Sequence, residues 1–154
     1  MIASTALAFQ YEPGMTLQSD LLGTLDISPD ELVEFPAGLY GFPECRHFVL
    51  IKTDREGFYW LQSADHSALV FLLVDPFLHF PGYSVDLAPA ELLELAATEP
   101  TDVAVFAIVT LPGGREEEPT ANLQGPLALN LRQGVAKQLA VSESEYGVRC
   151  PFGL

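Results

Sequence analysis

Hydrophobic and polar positions alternate along this chain over short stretches, and glycine, proline or aspartate separates one stretch from the next. Short runs rich in β-branched and aromatic residues, divided by turn residues, are typical of an all-β sandwich or barrel. Two runs, residues 68–74 and 103–109, are apolar on both faces, so we expect them at the centre of the sheet. The predicted strands cover residues 22–27, 32–35, 48–52, 59–62, 69–74, 103–111, 127–131 and 136–141.

One segment has a helical pattern instead. Residues 87–98 place Pro89 at a suitable first helical position and carry leucines along one face. Pro100 prevents the helix from continuing. The fold class predicted from the pattern is therefore mainly β with one short helix, built as a small β-barrel-like domain of antiparallel strands.

The chain has 154 residues, which is enough for one hydrophobic core. Residues 1–18 are weakly patterned, so we expect a loosely ordered N-terminal extension followed by a single domain over residues 19–154. The apolar runs are strand-sized, and the first residues lack a basic segment followed by a long apolar one. We therefore expect a cytoplasmic protein that does not enter a membrane.

The charge is strongly negative. The formal net charge is −14, with only seven lysines and arginines, and these are scattered. Phosphate groups and anionic membrane surfaces require clustered cations, so direct binding to nucleic acid or to such a membrane is disfavoured. A negative field attracts basic partners, and a generic acidic β-barrel module that binds some basic protein is one reading. The alternative is that the charge only keeps the protein soluble.

Catalysis has one candidate pair. Cys45 and His47 are two residues apart, a spacing that places both side chains on one face of a strand, so a thiol nucleophile and its base are conceivable. No orienting aspartate or asparagine is evident beside them. The second cysteine, Cys150, forms no CxxC spacing with Cys45, and both are expected to be free thiols. A thiol enzyme is therefore the weaker hypothesis.

Metal and cofactor sites are not predicted. The histidines, His47, His66 and His79, show no recognised ligand spacing. Neither a phosphate-binding P-loop nor a dinucleotide-binding glycine pattern is present in the sequence.

An aromatic loop follows the strand that ends near residue 74. Residues 75–87 contain two prolines yet carry Phe77, Phe80 and Tyr83. These rings either clamp the loop over the barrel mouth or form an apolar platform for a partner.

An acidic segment precedes a group of polar side chains. Residues 111–119 indicate an exposed hairpin loop, and its glutamates, Glu116, Glu117 and Glu118, either are solvated or contact a basic partner. In the stretch TANLQGP that follows, Thr120 and Asn122 share a face if the strand continues. Gln124 stands beside Gly125, where a strand must break or bulge. The amides either satisfy backbone groups at the bulge or bind another polypeptide.

The sequence resembles the FliW family of flagellar assembly factors over about residues 22–152. The most specific motif is TANLQGP, and DPFLHFPGY is the next. The matching stretches are EFPAGLYGFPECRHFVLI (34–51), WLQSADHSALVFLLVDPFLHFPGYSVDL (60–87), VAVFAIVTLP (103–112), TANLQGPLALN (120–130) and YGVRCPF (146–152).

The resemblance implies a small β-barrel-like domain without catalysis or cofactor. It implies binding to flagellin, as a chaperone, and to the RNA-binding translational regulator CsrA, whose repression of flagellin synthesis it relieves. Flagellin and CsrA then compete by mass action for a protein expected to be a monomer when free. The partner-binding candidates are the motif residues Thr120, Asn122 and Gln124, the loop aromatics Phe77, Phe80 and Tyr83, and the acidic Glu116, Glu117 and Glu118.

Overall fold

The computed structural model describes residues 14–113, 118–141 and 145–153. The strands are β1 (Met15–Ser19), β2 (Gly23–Ile27), β3 (Leu32–Glu34), β4 (His47–Lys52), β5 (Phe58–Ser63), β6 (Val70–Val74), β7 (Ala104–Thr110), β8 (Thr120–Asn130), β9 (Val135–Gln138) and β10 (Cys150–Pro151). The helices are α1 (Pro76–His79) and α2 (Pro89–Glu94), with short 3-10 turns at Pro29–Glu31 and Pro100–Asp102.

Seven strands close into a barrel. The order around it is β8, β7, β6, β5, β4, β3 and β9, and β9 pairs with β8 to complete the ring. β10 adds to the outer edge of β8, and β1 and β2 form a separate hairpin. Closure removes the exposed sheet edges that invite aggregation.

The pairing of β3 with β9 is parallel, whereas the other pairings in the barrel are antiparallel. Strand directions cannot alternate all the way around a ring with an odd number of members, so at least one neighbouring pair must run the same way. The pair is short: Glu34 lies opposite Val135, and the Glu34 N–H donates to the Gly134 carbonyl at 2.9 Å. The predicted antiparallel barrel is thus confirmed except at this seam.

The barrel interior is the main hydrophobic core. Alternate residues of the strands point inward, as the period of two requires. The largest fully buried members of this cluster are Phe35, Phe48, Leu61, Leu73, Leu127 and Leu129.

Three smaller apolar clusters lie on the outer face of the barrel, and each is covered by a different element. The β1–β2 hairpin packs Leu17 and Ile27 against Val49 of β4. The segment around α2 places Leu95 against Ala128 and Leu139. The loop after α1 and the C-terminal segment cover β7 and the first half of β8.

The predicted strands and the predicted helix are found, with shifted ends, and a second short helix, α1, lies in the segment predicted as a loop. β8 begins seven residues earlier than predicted, at Thr120, because its first half pairs with β7 and β10. Residues 15–18, which the sequence pattern assigns to the loose extension, belong to β1, whose alternate residues pack on the barrel. Residues 1–13 of that extension lie outside the described residues. The expected central position of residues 68–74 and 103–109 was wrong, because a closed ring has no central strand.

Replacing Phe48 by alanine should lower the free energy of unfolding by about 3–5 kcal/mol. Phe48 is fully buried, and its ring packs edge-on against Phe35 at a centroid distance of 5.3 Å. Phe77→Ala is the matched control, since that ring is about half exposed and should cost about 1 kcal/mol or less. Urea denaturation measures both variants, and equal losses would contradict the assignment of the core.

Candidate functional site

The motif TANLQGP forms a large bulge in β8. Phe106 of β7 lies opposite Leu127, but Ile108, two residues further along β7, lies opposite Asn122. Five positions on β8 therefore match two on β7. The number of extra positions on β8 is odd, so the alternation of side chains between the two faces of the strand is reversed across the bulge. Leu123 packs on the outer face before the bulge, and Leu127 points into the barrel after it.

The bulge lies where β8 changes neighbours. Before it, Thr120 and Ala121 pair with β10; after it, residues 127–130 pair with β9. Regular ladder bonds cannot form at the change, so the backbone groups of residues 123–126 need other partners.

Side-chain amides supply several of these partners. The Asn122 Oδ1 accepts from the N–H groups of Gln124 and Gly125, at 3.1 and 2.9 Å. The Gln138 Nε2 donates to the Gly125 carbonyl at 2.9 Å, and its Oε1 accepts from the Tyr40 N–H at 2.8 Å.

The remaining groups of the bulge bond to other segments. The Leu123 N–H donates to the Gly147 carbonyl, and the Leu123 carbonyl accepts from the Tyr83 hydroxyl at 2.8 Å. The carbonyls of Gln124 and Pro126 accept from the N–H groups of Val141 and Leu139. All three N–H groups and all four carbonyls of residues 123–126 are thus paired.

Gly125 is required by this arrangement. A Cβ atom at this position would lie 2.9 Å from the Gln138 Nε2 and 3.0 Å from the Asn122 Nδ2. The two amides therefore occupy the space that any other residue would need.

The polar candidates of the motif have different surroundings. Asn122 is half-buried and binds backbone, so its amide stabilises the fold. Gln124 is exposed, and its Nε2 donates to the Tyr146 carbonyl at 3.1 Å. Thr120 is half-buried opposite Thr110, on the same face of β8 as Asn122.

The loop aromatics divide in the same way. Phe80 and Tyr83 are buried, 8% and 6% exposed, in the cluster on the outer face of β7 and β8. The loop therefore clamps the side of the barrel and not its mouth. Phe77 is 48% exposed, with its ring 5.8 Å from that of Tyr83, and Leu78 beside it is also exposed. The exposed large apolar side chains of this segment are thus Phe77 and Leu78, both on α1.

Of the acidic candidates, Glu118 is exposed, next to the start of β8. Glu116 and Glu117 lie outside the described residues.

An apolar pocket of about 260 Å³ lies beside the bulge. Tyr40 and Val148, both more than half exposed, contribute side chains that the sequence reasoning did not select. We call this depression the apolar pocket; it is lined by Tyr40, Asn122, Gln124, Gly125, Ala140, Val141 and Val148. It brings together two of the predicted motif residues, Asn122 and Gln124, at one accessible surface.

The comparisons with known proteins agree with the resemblance seen in the sequence. The profile of the family described as FliW protein matches residues 16–152. The chain belongs to the FliW family.

Individual FliW relatives match along most of their length. The flagellar assembly factor FliW of Moorella thermoacetica is 42% identical over 137 residues, covering 88% of this chain and 86% of the relative. That of Treponema denticola is 34% identical over 135 residues, covering 88% and 91%. A crystal structure of the flagellar assembly factor FliW superposes with a TM-score of 0.82 at 32% identity, covering 89% of this chain and 96% of that one.

The FliW fold does not bring Cys45 and His47 into one environment. Cys45 precedes β4 and is buried in the barrel core, whereas the His47 side chain is about half exposed, so the expectation that both share a strand face was wrong. Burial, followed by the nearby charges of Glu44 and Asp65, raises the pKa of the Cys45 thiol. A raised pKa disfavours the reactive thiolate. Cys150 is also free, in the outer cluster beside Phe152.

His47 and His79 likewise have different surroundings. His47 faces Asp65, with Nδ1 and Oδ2 3.9 Å apart, and the His79 ring packs against both Phe58 and Phe152. Within residues 14–113, 118–141 and 145–153, no group of three or more His, Cys, Asp or Glu side chains is arranged to hold a metal ion. In the same part of the chain, no helix is long and apolar enough to span a bilayer.

The sequence reasoning missed Gln138, Tyr40 and Val148. Gln138 could have been selected from the sequence, because it is a polar residue at a position of β9 that faces the barrel interior. Buried amides usually bind backbone groups. Tyr40 and Val148 lie in loops, where spacing carries no information about proximity.

Asn122→Ala should lower the free energy of unfolding by about 1–3 kcal/mol, because the N–H groups of buried Gly125 and of Gln124 lose their acceptor. Asn122→Asp keeps an oxygen in place and should lose much less. Gln124→Ala is the exposed control and should change stability little. Thermal and urea unfolding measure all three; an Asn122→Ala protein as stable as the unmodified one would contradict the capping role.

Tyr83 should titrate late. Burial, with a smaller effect of Cys150, raises the pKa of Tyr83 to about 12, whereas the pKa of a tyrosine in the unfolded chain is about 10. The unfolded chain therefore loses this proton first, so the contribution of Tyr83 is complete below about pH 10 and disappears as pH rises through 12. Absorbance titration of the folded protein should show one late phenol that Tyr83→Phe removes. Tyr40→Phe should leave it; a late phase that persists in Tyr83→Phe would refute the assignment.

Proposed function

We propose that this FliW-family protein is a cytoplasmic flagellar assembly factor that binds flagellin and antagonises the translational regulator CsrA. The supporting observation is family membership over residues 16–152, with relatives named flagellar assembly factor FliW. Flagellin, when plentiful, occupies the protein and leaves CsrA free to repress flagellin synthesis. Export of flagellin reverses the exchange, so the level of flagellin controls its own translation.

The charge of the chain supports a basic partner. An RNA-binding regulator needs clustered cations to hold phosphates, and a protein of net charge −14 attracts such a surface. Charge complementarity mainly accelerates encounter and selects the partner.

The accessible parts of the candidate site define where contact is proposed. Gln124 and Tyr40 border the apolar pocket, and Phe77 with Leu78 forms a second exposed apolar area on α1. Aromatic residues in such positions are frequent binding determinants. In this proposal, Phe80, Tyr83 and Asn122 stabilise the conformation of this surface.

The competition can be measured directly. Purified flagellin added to a preformed complex of this protein with the CsrA-type regulator of the same organism should release the regulator in proportion to free flagellin. Size-exclusion chromatography or fluorescence anisotropy follows the release.

The control is an equally concentrated acidic protein of similar size, which should release nothing. If the protein binds neither flagellin nor the regulator at low salt, the proposed function is wrong. If both bind together without competition, the exchange mechanism is wrong.

A further inference from the structure

A second depression adjoins the apolar pocket. Its volume is about 620 Å³, and it shares Ala140 and Val141 with the apolar pocket. We call it the acidic trough; its other lining residues include Ser84, Asp86, Glu91, Leu139, Glu145 and Tyr146. A hydrogen bond from the Gln124 side chain to the Tyr146 carbonyl joins a residue that lines the apolar pocket to one that lines the acidic trough. The two therefore form a continuous surface on both sides of residues 140 and 141.

The trough is negative. Asp86, Glu91 and Glu145 contribute carboxylates, and the described residues that line it include no lysine or arginine. Lys137, earlier on the same segment, places its ammonium 3.1 Å from a carboxylate oxygen of Glu94. A cationic side chain entering the trough would meet attraction with little competing positive charge.

The backbone between the two depressions suits an extended chain. The N–H groups of Leu139 and Val141 point toward β8, where they bond. Ala140, between them, is exposed and follows the end of β9. Successive N–H groups of an extended chain point to opposite sides, so we infer that its N–H and carbonyl face away from β8. An extended segment laid along residues 140 and 141 can pair with these groups.

We propose that the apolar pocket and the acidic trough form one groove that binds an extended segment of a partner protein, in which apolar side chains lie next to lysine or arginine. The apolar side chains enter between Tyr40 and Val148, and the cations reach Asp86 and Glu145. The inference rests on the proposed function, which requires a protein partner, and adds the chemistry of the segment recognised. A second copy of this chain fits poorly, because its 21 acidic residues outnumber its seven basic ones.

Synthetic peptides test this chemistry. A terminally blocked, fluorescently labelled peptide with leucines followed by lysines should bind the full-length protein. Matched peptides with serine in place of leucine, or glutamate in place of lysine, should bind at least about tenfold more weakly. If the leucine–lysine peptide binds no better than the other two, the inference is wrong.

Variants of the groove separate its two halves. Asp86→Asn/Glu145→Gln should weaken the leucine–lysine peptide about tenfold and flatten its dependence on salt. Val148→Ser should weaken it without changing the salt dependence. The control, Asp20→Asn/Asp26→Asn, removes the same charge from exposed positions of the β1–β2 hairpin and should have little effect. Equal losses in the control would show a general field effect and overturn the groove.

The same variants distinguish this inference from the proposed function. If the unmodified protein binds flagellin and the CsrA-type regulator but every groove variant binds both normally, the groove is wrong and the proposed function stands. If the unmodified protein binds neither while the peptide results hold, the groove stands with a different partner. Sedimentation that shows a dimer dispersed by Val148→Ser would assign the groove to a second copy and overturn the inference.

Discussion

The structure depends on one long strand that must change its neighbour part-way along. β8 pairs with β7 on both sides of the bulge, but its other side pairs with β10 at the start and with β9 at the end. Backbone groups at the change cannot be left unpaired in a buried position. The side chains of Asn122, Gln138 and Tyr83 form hydrogen bonds with those groups. The same bonds allow the barrel to close and hold the segment of Tyr83 against its outer face.

This arrangement explains why a polar motif stands inside an apolar strand. The amide of Asn122 and the missing side chain of Gly125 serve the same bulge, one by accepting two N–H groups and the other by leaving space. The bulge also brings Gln124 to the surface beside Tyr40 and Val148. Asn122 and Gly125 thus stabilise the barrel and also line the candidate binding surface, and a substitution there can affect folding and binding together.

Much of the fold was accessible from sequence because strand periodicity and turn residues are local signals. The bulge at Gly125 and the helix beginning at Pro89 follow from the chemistry of single residues. β1 was missed because Leu17 is buried by a hairpin partner that the local pattern does not specify. Phe77 and Phe80 are identical residues three positions apart, and only tertiary packing decides that Phe80 is buried and Phe77 exposed. The apolar pocket could not be predicted, since Tyr40 and Gln138 meet across 98 residues of sequence.

The parallel seam between β3 and β9 has a consequence for the order of assembly. The strands from β3 to β8 pair with the next strand along the chain across connections of at most 29 residues, but the ring closes only when Glu34 meets a segment about a hundred positions later. Such long-range closure is entropically costly and slow compared with hairpin formation. Until residues 134 and 135 have left the ribosome, the sheet cannot close, and the leucines and phenylalanines of its inner face remain exposed to solvent. The closed barrel therefore cannot form before residue 135 has been synthesised, and until then its apolar inner face stays exposed to aggregation.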